Sequence, residues 1–261
     1  MSLHVAITGA SSGIGESIAR AWGRTGAQLT LVARRQAALE KLAGEFPGQC
    51  QVFARDLAQS TVCCDWLAPA QDHFGPVDVL VNNAGVENTG PTALANVDQA
   101  IALLHLNLHT PLLLTRALLP AMLARGSGTI VDVASVAGLV PTPMQTWYGA
   151  SKAGLAAFSE ALRGEVRGSG VHVVTVYPGP VTTAMAEAAY EKFGGRSGLV
   201  GMVPEGTADE LAELILDAVE RKRPRVIYPR FYAAMRWVPW LGRMSVDAQF
   251  GGTWKGLPSK Q

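Results

Sequence analysis

The sequence predicts a single domain of the doubly wound α/β class, a parallel sheet with helices on both faces. Short, nearly continuous runs of Val, Leu and Ile alternate with longer stretches of helical pattern, as expected of strands covered on both sides. A glycine-rich turn separates the first apolar run from the first helical stretch. With 261 residues, 48% of them apolar and 16% charged, the chain can bury one large core and is too apolar to be disordered.

The first strand expected is His4-Val5-Ala6-Ile7-Thr8, leading through the glycine turn into a helix over 13–25. A strand over 28–33 precedes a helix over 36–46, and a strand over 51–55 precedes a helix over 61–74. The fourth strand, 77–81, feeds one long helix over 97–125. The remaining strands fall at 128–134, 171–177 and 225–228, with helices over 145–167 and 207–221 between them. No repeat, low-complexity segment or linker divides the chain, so residues 1–261 read as one domain. Two stretches stand outside the alternation: a glycine-containing connection over 182–204 and a tail over 229–261.

A net charge of +1 gives no clustered positive surface for nucleic acid. The N-terminus lacks a basic, signal-like leader and already reads as a strand. The longest apolar stretch, 103–124, is interrupted by His105, Asn107, His109, Arg116 and Pro120 and does not read as a membrane span. Cys50, Cys63 and Cys64 are odd in number, two are adjacent, and no histidine stands near them at zinc spacing. Reduced thiols, no metal and a cytoplasmic location are expected.

The turn Thr8-Gly9-Ala10-Ser11-Ser12-Gly13-Ile14-Gly15 is G-x-x-x-G-x-G, not the commoner G-x-G-x-x-G. Glycines there would let a pyrophosphate approach the backbone, where a helix N-terminus offers free N–H groups. The second strand ends Ala33-Arg34-Arg35, where a site for unphosphorylated ribose usually carries Asp or Glu. Arg34 can pair with a 2′-phosphate, which points to NADP(H); the alternative is that Arg34 and Arg35 only end the strand in solvent. Tyr148 and Lys152 stand four apart in Thr146-Trp147-Tyr148-Gly149-Ala150-Ser151-Lys152 and share one face of a helix. An ammonium beside the phenol is expected to lower the Tyr148 pKa toward neutrality.

Together these motifs resemble the short-chain dehydrogenase/reductase family, in its core-length, NADP(H)-preferring form, over about residues 3–228. The resemblance rests on Thr8-Gly9 to Gly15, Asp56-Leu57, Asn82-Asn83-Ala84-Gly85, Asn107, Ser135, Tyr148-x-x-x-Lys152 and Pro178-Gly179-Pro180-Val181-Thr182-Thr183. It implies a Rossmann-type sheet of seven parallel strands in the order 3-2-1-4-5-6-7. It implies that Tyr148 exchanges a proton with the substrate oxygen and that Lys152 holds the nicotinamide ribose. Ser135 would hydrogen-bond the substrate oxygen, and Asn107 would hold a water linking Lys152 to solvent. Gly9, Ser11, Ser12, Gly13, Ile14 and Gly15 would cradle the pyrophosphate. Asp56 and Leu57 would meet the adenine, unless Asp56 is only a carboxylate at a helix N-terminus. Asn83, Ala84 and Gly85 would run behind the adenosine ribose, and Pro178, Gly179, Val181 and Thr183 would flank the nicotinamide. His105, His109 and His172 are then structural, and Trp147 contributes packing or a pocket wall.

Residues 86–92, 136–147 and 184–204 would line the substrate pocket. Met185, Ala188, Tyr190, Phe193, Leu199, Met202 and Val203 make the third segment an apolar, mobile flap, with Lys192 and Arg196 its candidate anion contacts. The expected substrate is an apolar carbonyl compound or its alcohol: a ketone or aldehyde, a steroid or lipid ketone, or a 3-oxoacyl thioester. A silent dinucleotide-binding sensor or scaffold should have lost Tyr148, Lys152 or Ser135, and an isomerase of the same fold stays open. The tail 229–244 is aromatic and basic; it reads first as a pocket cover or subunit contact and second as a membrane-surface segment. The resemblance also implies a homodimer or homotetramer.

Overall fold

The computed structural model describes residues 2–192, 204–236 and 243–244. Seven strands form one parallel sheet: β1 (His4–Thr8), β2 (Gln28–Ala33), β3 (Cys50–Ala54), β4 (Val79–Asn82), β5 (Gly128–Val133), β6 (Val171–Pro178) and β7 (Arg225–Tyr228). Their order is β3-β2-β1-β4-β5-β6-β7, as the resemblance implies. Every residue of β1 and β4 is buried, which is why their interiors are continuously apolar instead of alternating, with the buried polar residues His4, Thr8 and Asn82 only at strand ends. Two apolar clusters sandwich the sheet. One joins it to α1 (Gly13–Arg24) and α8 (Ala208–Glu220) through Ile18, Trp22, Leu211 and Ile215. The other joins it to α3 (Leu67–Phe74), α5 (Thr110–Arg125) and α6 (Thr146–Glu165) through Leu67, Leu114, Leu118 and Leu162. The remaining helices are α2 (Gln36–Ala43), α4 (Val97–Leu104) and α7 (Ala184–Lys192).

β1 lies between β2 and β4, so successive crossovers leave it toward opposite faces and the carboxyl ends of β1 and β4 diverge into a crevice. That topology places the site. The long helix expected over 97–125 is broken: α4 ends at Leu104, His105–His109 form a π-helical turn, and α5 begins at Thr110. The cause is Pro111, at the start of α5, which lacks an N–H and crowds the carbonyl four residues back, that of Asn107. Smaller departures are a helix that starts at Leu67 instead of 61 and one that stops at Ala43 instead of 46.

The flap expected over 184–204 opens with α7, where Thr183 Oγ1 accepts from the Ala186 N–H at 3.2 Å. Phe193, Arg196, Leu199, Met202 and Val203 fall outside the described residues. Of the tail, only a 3₁₀ turn at Arg230–Arg236 and residues 243–244 are described. Tyr232 in that turn is buried and donates to Pro204 O at 3.2 Å. Among the described residues no helix is long and apolar enough to cross a membrane. The histidines have structural partners: His105 and His109 stack edge-on at 5.1 Å, and His172 Nε2 meets Arg223 O at 3.1 Å. Burial pushes the Cys50 and Cys64 thiols up to about 11 and about 12.

Candidate active site

A cavity of about 520 Å³ runs across the carboxyl edge of the sheet, from Arg34 and Asp56 at one end to Glu87, Tyr148 and Met185 at the other. The glycine turn forms its floor. Gly9 (φ +70°) and Gly13 (φ +58°) adopt the left-handed backbone that glycine permits. A Cβ on Gly9 would lie 2.8 Å from the Ala84 Cα, and one on Gly15 would lie 2.4 Å from Asn83 Nδ2 and from Gly9 O. The turn is therefore pressed against the end of β4. Thr8 Oγ1 locks the two: it donates to Val81 O at 3.1 Å and accepts from the Asn83 and Ala84 N–H groups at 3.0 Å. Asn83 Nδ2 donates to Thr8 O at 2.9 Å, so Asn83 braces the turn while its neighbours Ala84 and Gly85 face the cavity. With α1 starting at Gly13, this cradle of glycine backbone and helix N–H groups fits a dinucleotide pyrophosphate.

At the adenosine end, both arginines line the cavity, but they are held differently. Arg35, which the sequence offered only as a solvent-facing strand end, forks onto Ser12 Oγ at 2.5 Å and Ser11 Oγ at 3.1 Å. Arg34 is exposed, and no hydrogen bond engages it among the described residues. Asp56 Oδ1 accepts from the Ala58 N–H at 3.2 Å, and Leu57 O accepts from Thr110 Oγ1 at 2.5 Å. Arg55, also missed, lines the cavity and pairs with Asp65 at 2.9 Å.

At the other end four elements converge. Lys152 on α6 is buried, and its Nζ donates to Val133 O at 2.7 Å. The π turn sets Asn107 under it: Asn107 Oδ1 accepts from the Val86 N–H at 2.9 Å, while Nδ2 donates to Val86 O at 2.8 Å and to Ser151 Oγ at 3.2 Å. Gly85 lies close beneath this pair: a Cβ on it would stand 3.2 Å from Asn107 Oδ1 and 3.4 Å from Lys152 Nζ. Gly138 likewise lets the β5–α6 connection touch α6; its Cβ would stand 2.8 Å from the Lys152 carbonyl carbon. Ser135 Oγ accepts from the Ala137 N–H at 3.1 Å, which aims it into the cavity beside the Tyr148 hydroxyl. Pro178, Gly179, Val181 and Thr183 form the facing wall. Tyr232 backs that wall, because a Cβ on Gly179 would lie 2.7 Å from its ring. Trp147 does not line the cavity.

The electrostatics correct one expectation. The Tyr148 phenol is not lowered toward neutrality; burial pushes it up to about 12, Ser135 offsets part of this, and the Glu87 carboxylate adds to it. Burial also pushes Lys152 down to about 8, against the attraction of Asp132. Desolvation of both groups outweighs their spacing on the helix. The pocket is also less apolar than its sequence suggested, because Glu87 stands in its wall. Asp132, fully buried on β5, was missed although it interrupts the apolar run of that strand. Asn82 Nδ2 donates to its Oδ1 at 2.8 Å, and burial pushes its carboxyl up to about 6.

The comparisons agree with this geometry. The chain matches the short chain dehydrogenase family over residues 3–193. Dehydrogenase/reductase SDR family member 7B of Mus musculus is 34% identical over 240 residues, which span 88% of this chain and 74% of that protein. A short-chain dehydrogenase from Sphingobium yanoikuyae, solved in complex with NADPH, has a TM-score of 0.79 at 28% identity, over 99% of this chain and 98% of that one. A 3-ketoacyl-(acyl-carrier-protein) reductase from Brucella melitensis, complexed with NADH, has a TM-score of 0.77 at 28% identity, over 87% of this chain and 96% of that one. By its fold, its ordered motifs and these matches, the chain belongs to the short-chain dehydrogenase/reductase family of nicotinamide-dependent oxidoreductases.

Proposed function

We propose that this protein is an NADP(H)-dependent oxidoreductase that interconverts a carbonyl group and its alcohol on a substrate with an apolar body. The observation that carries the reading is the meeting of Ser135, Tyr148 and Lys152 at one end of a cavity floored by the glycine turn. A bound nicotinamide would give or take a hydride at the substrate carbon. The chain's own residues handle the oxygen. In reduction the Tyr148 hydroxyl, protonated at neutral pH because burial holds its pKa at about 12, gives its proton to the carbonyl oxygen as charge develops there. Ser135, fixed by the Ala137 N–H, donates to the same oxygen and orients it. Lys152, with a pKa of about 8, keeps its charge at neutral pH and supports the phenolate that Tyr148 becomes.

Support for the phosphorylated cofactor is the absence of an acid at the end of β2 and an exposed Arg34 at the cavity mouth that no hydrogen bond engages among the described residues. The apolar side of the substrate would meet Val86, Ala137 and Met185. Assembly into a homodimer or homotetramer belongs to the same reading and is supported by the exposed Val97, Ile101 and Leu123 on α4 and α5. The test is NADPH oxidation, with NADH alongside, across ketones and aldehydes, by the native protein and Tyr148→Phe. Turnover should fall by orders of magnitude in the variant, while NADPH affinity changes by less than about threefold. Unchanged turnover in the variant would refute the assignment of Tyr148.

A further inference from the structure

The wall beside Tyr148 carries a polar device that proton and hydride transfer do not use. The segment after Gly85 and the segment before α6 are tied together by three bonds. The Gly90 N–H donates to Met144 O at 2.7 Å, Thr92 Oγ1 meets Thr146 Oγ1 at 2.7 Å, and Gln145 Nε2 donates to Glu87 Oε1 at 2.5 Å. Thr89 Oγ1 donates to the same Oε1 at 2.8 Å. Met144 holds φ +70°, a left-handed conformation a methionine seldom adopts, so the surrounding structure fixes the approach of Gln145 to Glu87. Both bonds fall on one carboxylate oxygen. Oε2 receives none among the described residues, and Glu87 lines the cavity with Gln145 and Tyr148. Its charge is felt at the reacting end, where it acts on the Tyr148 phenol.

We propose that Glu87 is a specificity-determining residue: its carboxylate, oriented by Thr89 and Gln145, accepts a hydrogen bond from a second donor on the substrate, a hydroxyl or an ammonium group near the reacting carbon, and turns away substrates that carry an anion there. This rests on the oxidoreductase reading above and narrows it, since it disfavours carboxylate- and phosphate-bearing substrates at this end of the cavity. A preoriented carboxylate beside the reacting carbon accepts a charge-assisted bond, stronger than a neutral one. A partner lacking the donor leaves that carboxylate desolvated and unpaired, which is why such sites discriminate strongly.

The test is NADP⁺ reduction with secondary alcohols of one chain length that carry, on the carbon next to the carbinol or the one beyond, a methyl, hydroxyl, ammonium or carboxylate group. Native protein and Glu87→Gln are compared as ratios of kcat/KM to the methyl compound, so that any common change at Tyr148 cancels. For the native protein the hydroxyl or ammonium compound should exceed the methyl compound by about tenfold or more, and the carboxylate compound should fall below it. A hydroxyl donor and an ammonium donor are distinguished by which compound shows the excess. In Glu87→Gln the ammonium ratio should collapse toward one, the hydroxyl ratio should fall less because an amide oxygen still accepts, and the carboxylate ratio should rise. Native ratios that do not favour a donor, or ratios unchanged in the variant, overturn this inference and leave the oxidoreductase reading standing. Absence of turnover for every alcohol and for the matching ketones overturns both. The native ratios alone suffice for refutation if the variant does not fold.

Discussion

Replacing Asp132 by Asn should make the protein more stable at alkaline pH and less able to keep Lys152 charged. Asp132 is fully buried, with its carboxyl raised from an ordinary 3.8 to about 6; burial is the largest cause, and Asn82, Ser159 and Lys152 oppose it. A raised acid means that the folded state holds the proton more tightly than the unfolded chain. Its penalty is therefore absent below pH 3.8, grows as pH rises to about 6 and is constant above that. The gap between those values corresponds to about 3 kcal/mol, an upper bound on what Asn can recover. Part of the gain is offset, because Asp132 is the group that raises Lys152, and without it the ammonium is harder to keep in its buried site. Urea denaturation of both proteins at pH 4, 6 and 8 reads the difference. The variant's advantage should be near zero at the lowest pH and reach about 1–3 kcal/mol at the highest. Lys152, at about 8 in the native protein, should then lose its proton at lower pH, moving the alkaline fall of NADPH affinity and kcat/KM downward. A stability difference independent of pH, or an alkaline limb that does not move, would refute this account of the Asp132–Lys152 pair.

Other outcomes follow from the same geometry. Arg34→Asp should weaken NADPH by about tenfold to a hundredfold and leave NADH within about threefold, by fluorescence titration, whereas Arg35→Ala should weaken both because Arg35 braces the Ser11–Ser12 turn. Equal loss of the two cofactors in Arg34→Asp would remove Arg34 as the phosphate reader. Gly15→Ala should abolish dinucleotide binding and lower stability by about 1–3 kcal/mol, because its Cβ would sit 2.4 Å from Gly9 O. Gly164→Ala, with nothing within 4 Å of the added carbon in the last turn of α6, is the control and should be neutral or slightly stabilising in thermal melts.

The Rossmann-type sheet was legible because its signals are local. Strands buried on both faces need apolar interiors, and residues 5–7 of β1 and 79–81 of β4 are continuously apolar. A turn that lets backbone meet backbone must be glycine, and Gly9 and Gly15 stand where a Cβ would collide. A tyrosine and a lysine on one turn of a helix must share a face, and α6 puts Tyr148 and Lys152 on the same cavity. What the sequence by itself determined is therefore the scaffold, the glycine turn and the side chains that meet at one end of the cavity. Tertiary structure decided their state. The break at Asn107 was written in Pro111, yet its use, seating Asn107 against Val86 and Ser151, depends on segments 21 and 44 residues away. The direction in which Tyr148 and Lys152 shift depends on how much water the fold removes from them, a sum over all four converging elements that spacing along one helix does not contain. The same holds for Glu87 and Asp132. Charged residues are ordinary in a sequence, and only the walls that desolvate them and the partners brought from distant segments set Glu87 in the cavity wall and bury Asp132 against Asn82.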